Sequence, residues 1–521
     1  MSSSRIMRRL VGIPWPPLLG VVLMLSLSVA LLVRRTIQTP EPQPAGPLTI
    51  LVSGDTQGLL FPGDCGPGQA GGLARRGEIV RQAQAAGTVL YAELGNAPAG
   101  NTPYDRLKFS AILRGEMAMD LAAHNVGPGE MRLGIDELQR LASELKVPFV
   151  STNVRDAQGR PLAEPLRLIE AAGHRIALVG IVSPSYAEEP LEVLDPAAAI
   201  EAALAEKAMP YDTLLVLAYL PADELSQLAA RLPKRAVLVG PSHADPLEES
   251  EVGRVGRVRE AHAQPVGSVG RVRPSSSGRA ERVVAREADV RPESAQENVA
   301  GLVGRQGRSL VRIDFGTSDR EQWTAGDVAV AGPMPEDPQQ LENLVAYHQE
   351  LARHDFAPSD TGLVMPLPPE VASTSRTAGT QTCRQCHGAE CSAWDTSRHA
   401  RAWQSLVNRG VYYDADCQRC HTTGYGWEGG FSSAERSIGT LSIGCESCHG
   451  PSLTHVLNPS VRTPLVASQQ CIHCHDDDHS PGFNYGPAWA RIQHGPAPAE
   501  GTGALLEGAF RVRNPPGQIV N

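Results

Sequence analysis

Short apolar runs that end in turn residues recur through the first 300 positions. They read LTILVSGDTQG from Leu48, RIALVGIVSP from Arg175, DTLLVLAYLP from Asp212 and RAVLVGPSHADP from Arg235. Between them lie stretches with apolar residues at helical spacing, such as GIDELQRLASEL from Gly134 and PADELSQLAARL from Pro221. Strands alternating with amphipathic helices predict an α/β domain, here over residues 48–316. Further on, PQQLENLVAYHQELARHD (Pro338 to Asp355) predicts an amphipathic helix within a connecting segment, residues 317–378. His348 and His354 on it read as surface residues.

The pattern changes at three places. From Ile13 to Val33 there are 21 residues without a charge, enough to cross a bilayer. Arg34, Arg35 and a Pro-rich linker follow, with no small-x-small cleavage site, so the span reads as an uncleaved signal anchor. That makes residues 1–12 a cytoplasmic terminus, 13–33 the transmembrane helix and 34–47 a linker. From Glu251 to Arg291 an imperfect repeat (VGRVGRVRE, PVGSVGRVRP) alternates Val and Arg, which suits a solvated face or a disordered loop. Residues 379–496 lose all periodicity and gather cysteine and histidine instead, before a tail at 497–521.

Composition narrows the function. A chain of 521 residues with 41% hydrophobic and 20% charged residues is globular, with room for two or three domains. A net charge of −10 argues against a nucleic-acid partner.

Eight of the ten cysteines fall into four copies of one pattern. These are Cys383, Cys386 and His387; Cys417, Cys420 and His421; Cys445, Cys448 and His449; and Cys471, Cys474 and His475. C-x-x-C alone would suit a zinc ribbon, a redox pair, a disulfide scaffold or a haem. Zinc does not require a histidine directly after the second thiolate, and here it occurs four times. C-x-x-C-H is the signature of covalent haem c, in which the thiols bond to the porphyrin and the histidine is the proximal iron ligand. The expected cofactors are four covalently bound haems c. Such attachment takes place outside the bacterial cytoplasm, which puts the bulk of the chain in the periplasm behind a single-pass anchor in the inner membrane. Cys65 and Cys391 stand outside the motifs; Cys391 reads as a small, partly buried thiol.

No methionine follows Met365 and no lysine follows Lys234, so the sixth iron position is left to histidine or is open. Beside the proximal residues the region holds His399, His455, His473, His479 and His494. Ligation by two histidines lacks the thioether that raises potential, so low-potential haems are expected. His455 lies six residues past His449, beyond Gly450 and Pro451, and is poorly placed to return to the same iron.

The text CRQCH…SAWDTSRHARAW, then CQRCHTTGYG…GGF, then IGCESCHGPSLTH resembles the cytochrome c-554 family of tetrahaem cytochromes. The resemblance implies that His399, in S-x-H-A, and His455, in CHGP…H, are distal ligands. It weakens beyond His475, where His479 and His494 compete for the next distal role and His473 reads as exposed.

The first half resembles the metallophosphoesterase domain of the 5′-nucleotidase family over roughly Leu48 to Phe315, through LTILVSGDTQG, GGLARRGEIVRQ, LGNAPAG, VGPGEMRLGIDEL and FVSTNV. That family holds two metals on the loops after its strands. Asp55 keeps the first ligand, but Gln57, Asn96, Pro128, Gly129, Tyr219 and Pro241 stand where further ligands and the catalytic histidine would be, leaving Glu130 and His243. Asp55 and His243 alone fall short of any divalent site, which implies a degenerate domain without phosphoesterase activity.

The expected fold is therefore an α/β metallophosphoesterase-like sandwich, a mainly α-helical and loop tetrahaem cytochrome c domain, and one N-terminal transmembrane helix. The expected function is electron transfer to or from partner redox proteins. One alternative is a multihaem oxidoreductase acting on a small nitrogen compound at an open haem; another is a nucleotidase.

Overall fold

A computed structural model describes residues 46–62, 70–242, 298–316, 322–368, 371, 374–463, 470–476, 479–480 and 482–494. The expected span at 13–33, Cys65, His243, the Arg-rich insertion and the tail lie outside the described residues. Among those described, no helix is long and apolar enough to cross a membrane.

Thirteen described strands run in chain order as β1 (Leu48–Ser53), β2 (Thr88–Glu93), β3 (Leu121–Asn125), β4 (Phe149–Val150), β5 (Val154–Arg155), β6 (Arg167–Ala171), β7 (His174–Val182), β8 (Glu192–Val193), β9 (Thr213–Tyr219), β10 (Ala236–Pro241), β11 (Val299–Val303), β12 (Ser309–Phe315) and β13 (Trp323–Ala329). One sheet has the order β13-β12-β1-β2-β3-β4 and the other β11-β10-β9-β7-β6. β1 to β4 are parallel, with β12 and β13 added antiparallel at one edge.

The uniformly apolar runs are strands buried on both faces. In β7, Ile176, Leu178 and Val182 face the core between the sheets, while Ala177, Val179 and Ile181 enter a second core. β9 and β10 divide their residues in the same way. That second core lies under α5 (Pro196–Lys207) and α6 (Ala222–Arg231). The sheets approach closely at Gly180, where a Cβ would come within 2.2 Å of Asn125 Oδ1. The Asn125 amide spans the interface, donating to the carbonyls of Leu94, Ile181 and Leu217 at 3.0, 3.1 and 3.3 Å.

The first sheet's helices are α1 (Leu73–Ala86), α2 (Pro103–Ala118), α3 (Pro128–Leu133) and α4 (Ile135–Leu145). α2 starts where its sequence dictates: Thr102 and Asp105 form a capping box and Pro103 takes the first turn. The expected helix at 338–355 is α7 (Pro338–His354), which lies against α1 and α2. The close approach uses Gly115, whose Cβ would meet Leu73 at 2.4 Å and Gln340 at 2.5 Å. β13 and α7 belong to the α/β domain, so the domain continues into the segment expected to be a linker; β13 was hard to see because it is a polar edge strand. His348 is half-buried against Phe61, with ring centroids 5.0 Å apart, and is not the surface residue expected; His354 is exposed.

The described residues between 379 and 494 form short helices and loops, including α8 (Gly388–Asp395), α9 (Ala402–Arg409) and α10 (Ala415–His421). Ala415, Tyr425 and Phe431 join the main core of the first domain, so the two regions share one packed interface.

Candidate functional site

Two places carry chemistry. At the C-terminal tips of β1, β2 and β9, Asp55, Asn96 and Tyr219 meet. Asp55 Oδ1 accepts from Asn96 Nδ2 at 2.7 Å, from the Tyr219 hydroxyl at 2.8 Å and from Gln57 Nε2 at 3.0 Å. Asp55, Gln57 and Asn96 all have left-handed backbone, with φ of 52°, 48° and 60°. Burial raises the Asp55 pKa despite these three donors. The groups surrounding Asp55 donate hydrogen bonds where a divalent cation would need acceptors, so this cluster does not fit the two metals of a phosphoesterase. Among the described residues, no three His, Cys, Asp or Glu side chains converge as a metal site would require.

Glu130 has a structural task here. Its carboxylate accepts from the backbone N–H groups of Asn96, Ala97 and Gly127 at 2.8, 2.8 and 3.0 Å, fixing the loops after β2 and β3. It also holds His124 at 3.0 Å, and Glu116 holds the other ring nitrogen at 2.8 Å. Arg76, fully buried, sits between Glu93 at 3.3 Å and Glu116 at 3.8 Å. Alone, burial would lower the His124 pKa; the two carboxylates push it up to about 10.

The second place is the cysteine-rich region. Three of the four motifs fold as an isolated helical turn. The amides of His387, His449 and His475 donate to the carbonyls of Cys383, Cys445 and Cys471 at 2.9, 3.0 and 2.8 Å, and the second motif ends α10. A helical turn sets cysteines three apart on one face with the histidine beside them. None of the eight motif cysteines is in a disulfide. The sulfurs of Cys383 and Cys445 interact, as do those of Cys420 and Cys474, which brings the first motif to the third and the second to the fourth. Buried Glu446 staples the first pair, accepting from the amides of Ala378, Gly379 and Ser452 at 2.8, 2.8 and 2.7 Å. No sequence signal marks Glu446, since it fills a variable position of its motif.

The histidines pair across the motifs. Ring centroids of His387 and His455 are 6.1 Å apart, those of His399 and His475 are 6.3 Å, and those of His449 and His494 are 6.3 Å. Two imidazoles on opposite sides of one metal, each nitrogen about 2.0 Å from it, put their centroids roughly 6 Å apart. His455 and His494 donate from Nδ1 to the carbonyls of Val461 and Ile492 at 2.7 and 2.9 Å, which leaves Nε2 as the free electron pair. His421 does the same toward the Ala402 carbonyl at 2.9 Å. Burial lowers the pKa of His399, His421, His449 and His475, favouring the neutral ring that a metal ligand needs. His479 bonds Asp476 at 2.7 Å from Nδ1 but, unlike His455 and His494, faces no motif imidazole among the described residues, and none faces His421 at a comparable spacing. A cleft among the second, third and fourth motifs is lined by Met365, His399, Cys420, Cys448, Cys474 and His475. Paired imidazoles, cysteines outside any disulfide and this cleft all fit covalent haem.

Residues 382–450 match the family described as Cytochrome c554 and c-prime. The chain is 32% identical over 88 residues to cytochrome c-554 of Nitrosomonas europaea, a match that covers 14% of this chain and 37% of that protein. The stretch holding the first three motifs is thus similar to c-type cytochromes of the c-554 kind, and the chain spans about a third of the length of that relative. Among solved structures, the chain is similar to a 5′-nucleotidase precursor from Thermus thermophilus (19% identity, 70% of this chain and 68% of that one, TM-score 0.43). It is also similar to the Thermus thermophilus sulfate thiohydrolase SoxB (15% identity, 61% and 63%, TM-score 0.44) and to the calcineurin-like phosphoesterase YfkN from Bacillus subtilis (15% identity, 59% and 98%, TM-score 0.43).

Proposed function

We propose that the chain is a membrane-anchored, periplasmic tetrahaem c-type cytochrome that transfers electrons between partner redox proteins. The observation that carries this reading is the set of three imidazole pairs, each joining a motif histidine to a histidine elsewhere in the sequence. Cys383 and Cys386, Cys417 and Cys420, Cys445 and Cys448, and Cys471 and Cys474 each attach one haem, and bound haem supplies a one-electron centre. His387 with His455, His475 with His399, and His449 with His494 would each hold one iron, and His421 would hold the fourth alone. His494, not His479, takes the last distal role. Ligands drawn from neighbouring motifs stitch the four sites together and hold them close. Residues 13–33 anchor the protein, with everything beyond Arg35 on the periplasmic side.

The unpaired ring of His421 favours a second reading, in which a small molecule such as nitric oxide or hydroxylamine reacts at the iron held there. A pyridine haemochrome assay with an electron paramagnetic resonance spectrum tests both. Four haems, three low-spin and one high-spin, are expected. Fewer than four haems after expression with the maturation machinery overturns the count, and four low-spin irons remove the second reading. Replacing residues 1–35 with a cleavable signal peptide is expected to give soluble holoprotein; membrane partitioning of that form overturns the topology.

A further inference from the structure

The α/β domain reaches one haem motif and grips it by charge. α10, which carries Cys417, Cys420 and His421, begins at Asp414, and Asp416 directly precedes Cys417. The Tyr104 hydroxyl of α2 donates to Asp414 Oδ1 at 2.5 Å, and the Tyr347 hydroxyl of α7 donates to Oδ2 at 3.3 Å. One turn along α2, Lys108 forms an ion pair with Asp416. The Lys108 side chain is only 8% exposed, an unusual place for a lysine, and it is one of four lysines in a chain with 47 basic residues. A compact ammonium of this kind acts as a point charge.

We propose that the α/β domain is a fixed clamp on the second haem motif, in which Tyr104, Tyr347 and Lys108 position the Asp414–His421 segment and set the reduction potential of the haem attached there. The clamp rests on reading Cys417, Cys420 and His421 as a haem site. It gives the domain a task that needs no metal and no hydrolysis. Lys108 offsets the Asp416 charge beside the thioether anchor. With Lys108 removed, the unmatched carboxylate favours the more positive ferric state, and the potential falls.

The test uses the holoprotein and a potentiometric titration followed by paramagnetic resonance. Lys108→Met is expected to keep four haems and move one potential negative, by roughly tenfold in the reduced-to-oxidised ratio at fixed solution potential, or about 59 mV. Asp416→Asn is expected to move the same potential positive, and the double variant to return close to the parent. Lys108→Arg keeps the charge and should keep the potential. Four unshifted potentials in Lys108→Met overturn the clamp. Should that variant fail to fold, Asp416→Asn decides alone, with no positive shift as the overturning result. Separately, Cys417→Ser with Cys420→Ser is expected to lose one haem of four. Retention of all four overturns the underlying site and not the clamp alone.

Discussion

In β7, β9 and β10 every side chain but that of Arg175 is buried and alternate residues fill two different cores, whereas in residues 379–494 the described buried apolar side chains are few, Ala402, Leu406, Tyr425, Trp427 and Phe431 among them. The first region is specified by the packing of its own side chains. The second is held by loops, by Glu446, and by cysteines and histidines poised for a cofactor. A fold of the first kind can form without help; one of the second kind draws folding free energy from what it binds, as small metal-held domains do.

The largest expected effect breaks the molecule along that line. Replacing all eight motif cysteines with serine should leave the α/β sandwich with a cooperative melt while the region beyond about residue 365 is lost to limited proteolysis. Equal protease resistance of both regions would break the comparison. Next, His399→Ala, His455→Ala and His494→Ala should each retain four haems and convert one low-spin iron to high-spin that binds carbon monoxide when reduced. His473→Ala and His479→Ala should leave the spin count unchanged. A parent-like low-spin count in the first three would place the distal ligands elsewhere.

Sequence reading reached the two regions unequally for the same reason. Apolar runs such as RIALVGIVSP declare a buried strand because each residue acts through its own burial. The edge strand β13, WTAGDVA, carries no such pattern, so its sequence reads as linker. In the second region the motifs are local and legible. The partner of each histidine is not, because it is set by three-dimensional crossing: His387 meets His455 across 68 residues, and His449 meets His494 across 45. His479 is nearer in sequence to its motif than His494, yet it is the ring of His494 that faces a motif histidine. The half-burial of His348 was illegible for a further reason, since its neighbour Phe61 is remote in the chain.

A smaller effect should come from pH and appear in the melting of the first region. His124 has a folded pKa of about 10 against an ordinary 6.5, so its contribution is fully present below about pH 6.5 and is lost as pH rises through the folded value. Glu93 is raised, by burial first and then by the Glu116 charge, to about 8 from 4.5. Its unfolded form ionises from about pH 4.5 while the folded form stays protonated, so it too costs stability as pH rises, up to its folded pKa. Both signs agree. Calorimetry between about pH 6 and pH 9 should show the sandwich melting at progressively lower temperature, at up to about 1.4 kcal/mol per pH unit for each proton involved. A flat profile would mean that the buried Glu116–His124–Glu130 cluster does not hold its proton.

The smallest effect sharpens what the strand tips of the first region are for. Tyr219→Phe removes one of three donors to Asp55 Oδ1 and one contact of the Asn96 amide, while Gln57 and Asn96 remain. Losing one hydrogen bond of this kind should cost about 0.5–1.5 kcal/mol. In a domain of this size that is a fall of roughly 2–4 °C per kcal/mol in the melting temperature. Haem count and spin states should not change, because the hydroxyl acts only on the loops after β1 and β2. Manganese or zinc should neither raise the melting temperature of the parent nor restore that of the variant, since a phenol and two amides donate where a cation would need acceptors. A metal-dependent rise in the parent that Tyr219→Phe abolishes would show the opposite, that the tips still bind a cation and that the first region keeps chemistry of its own.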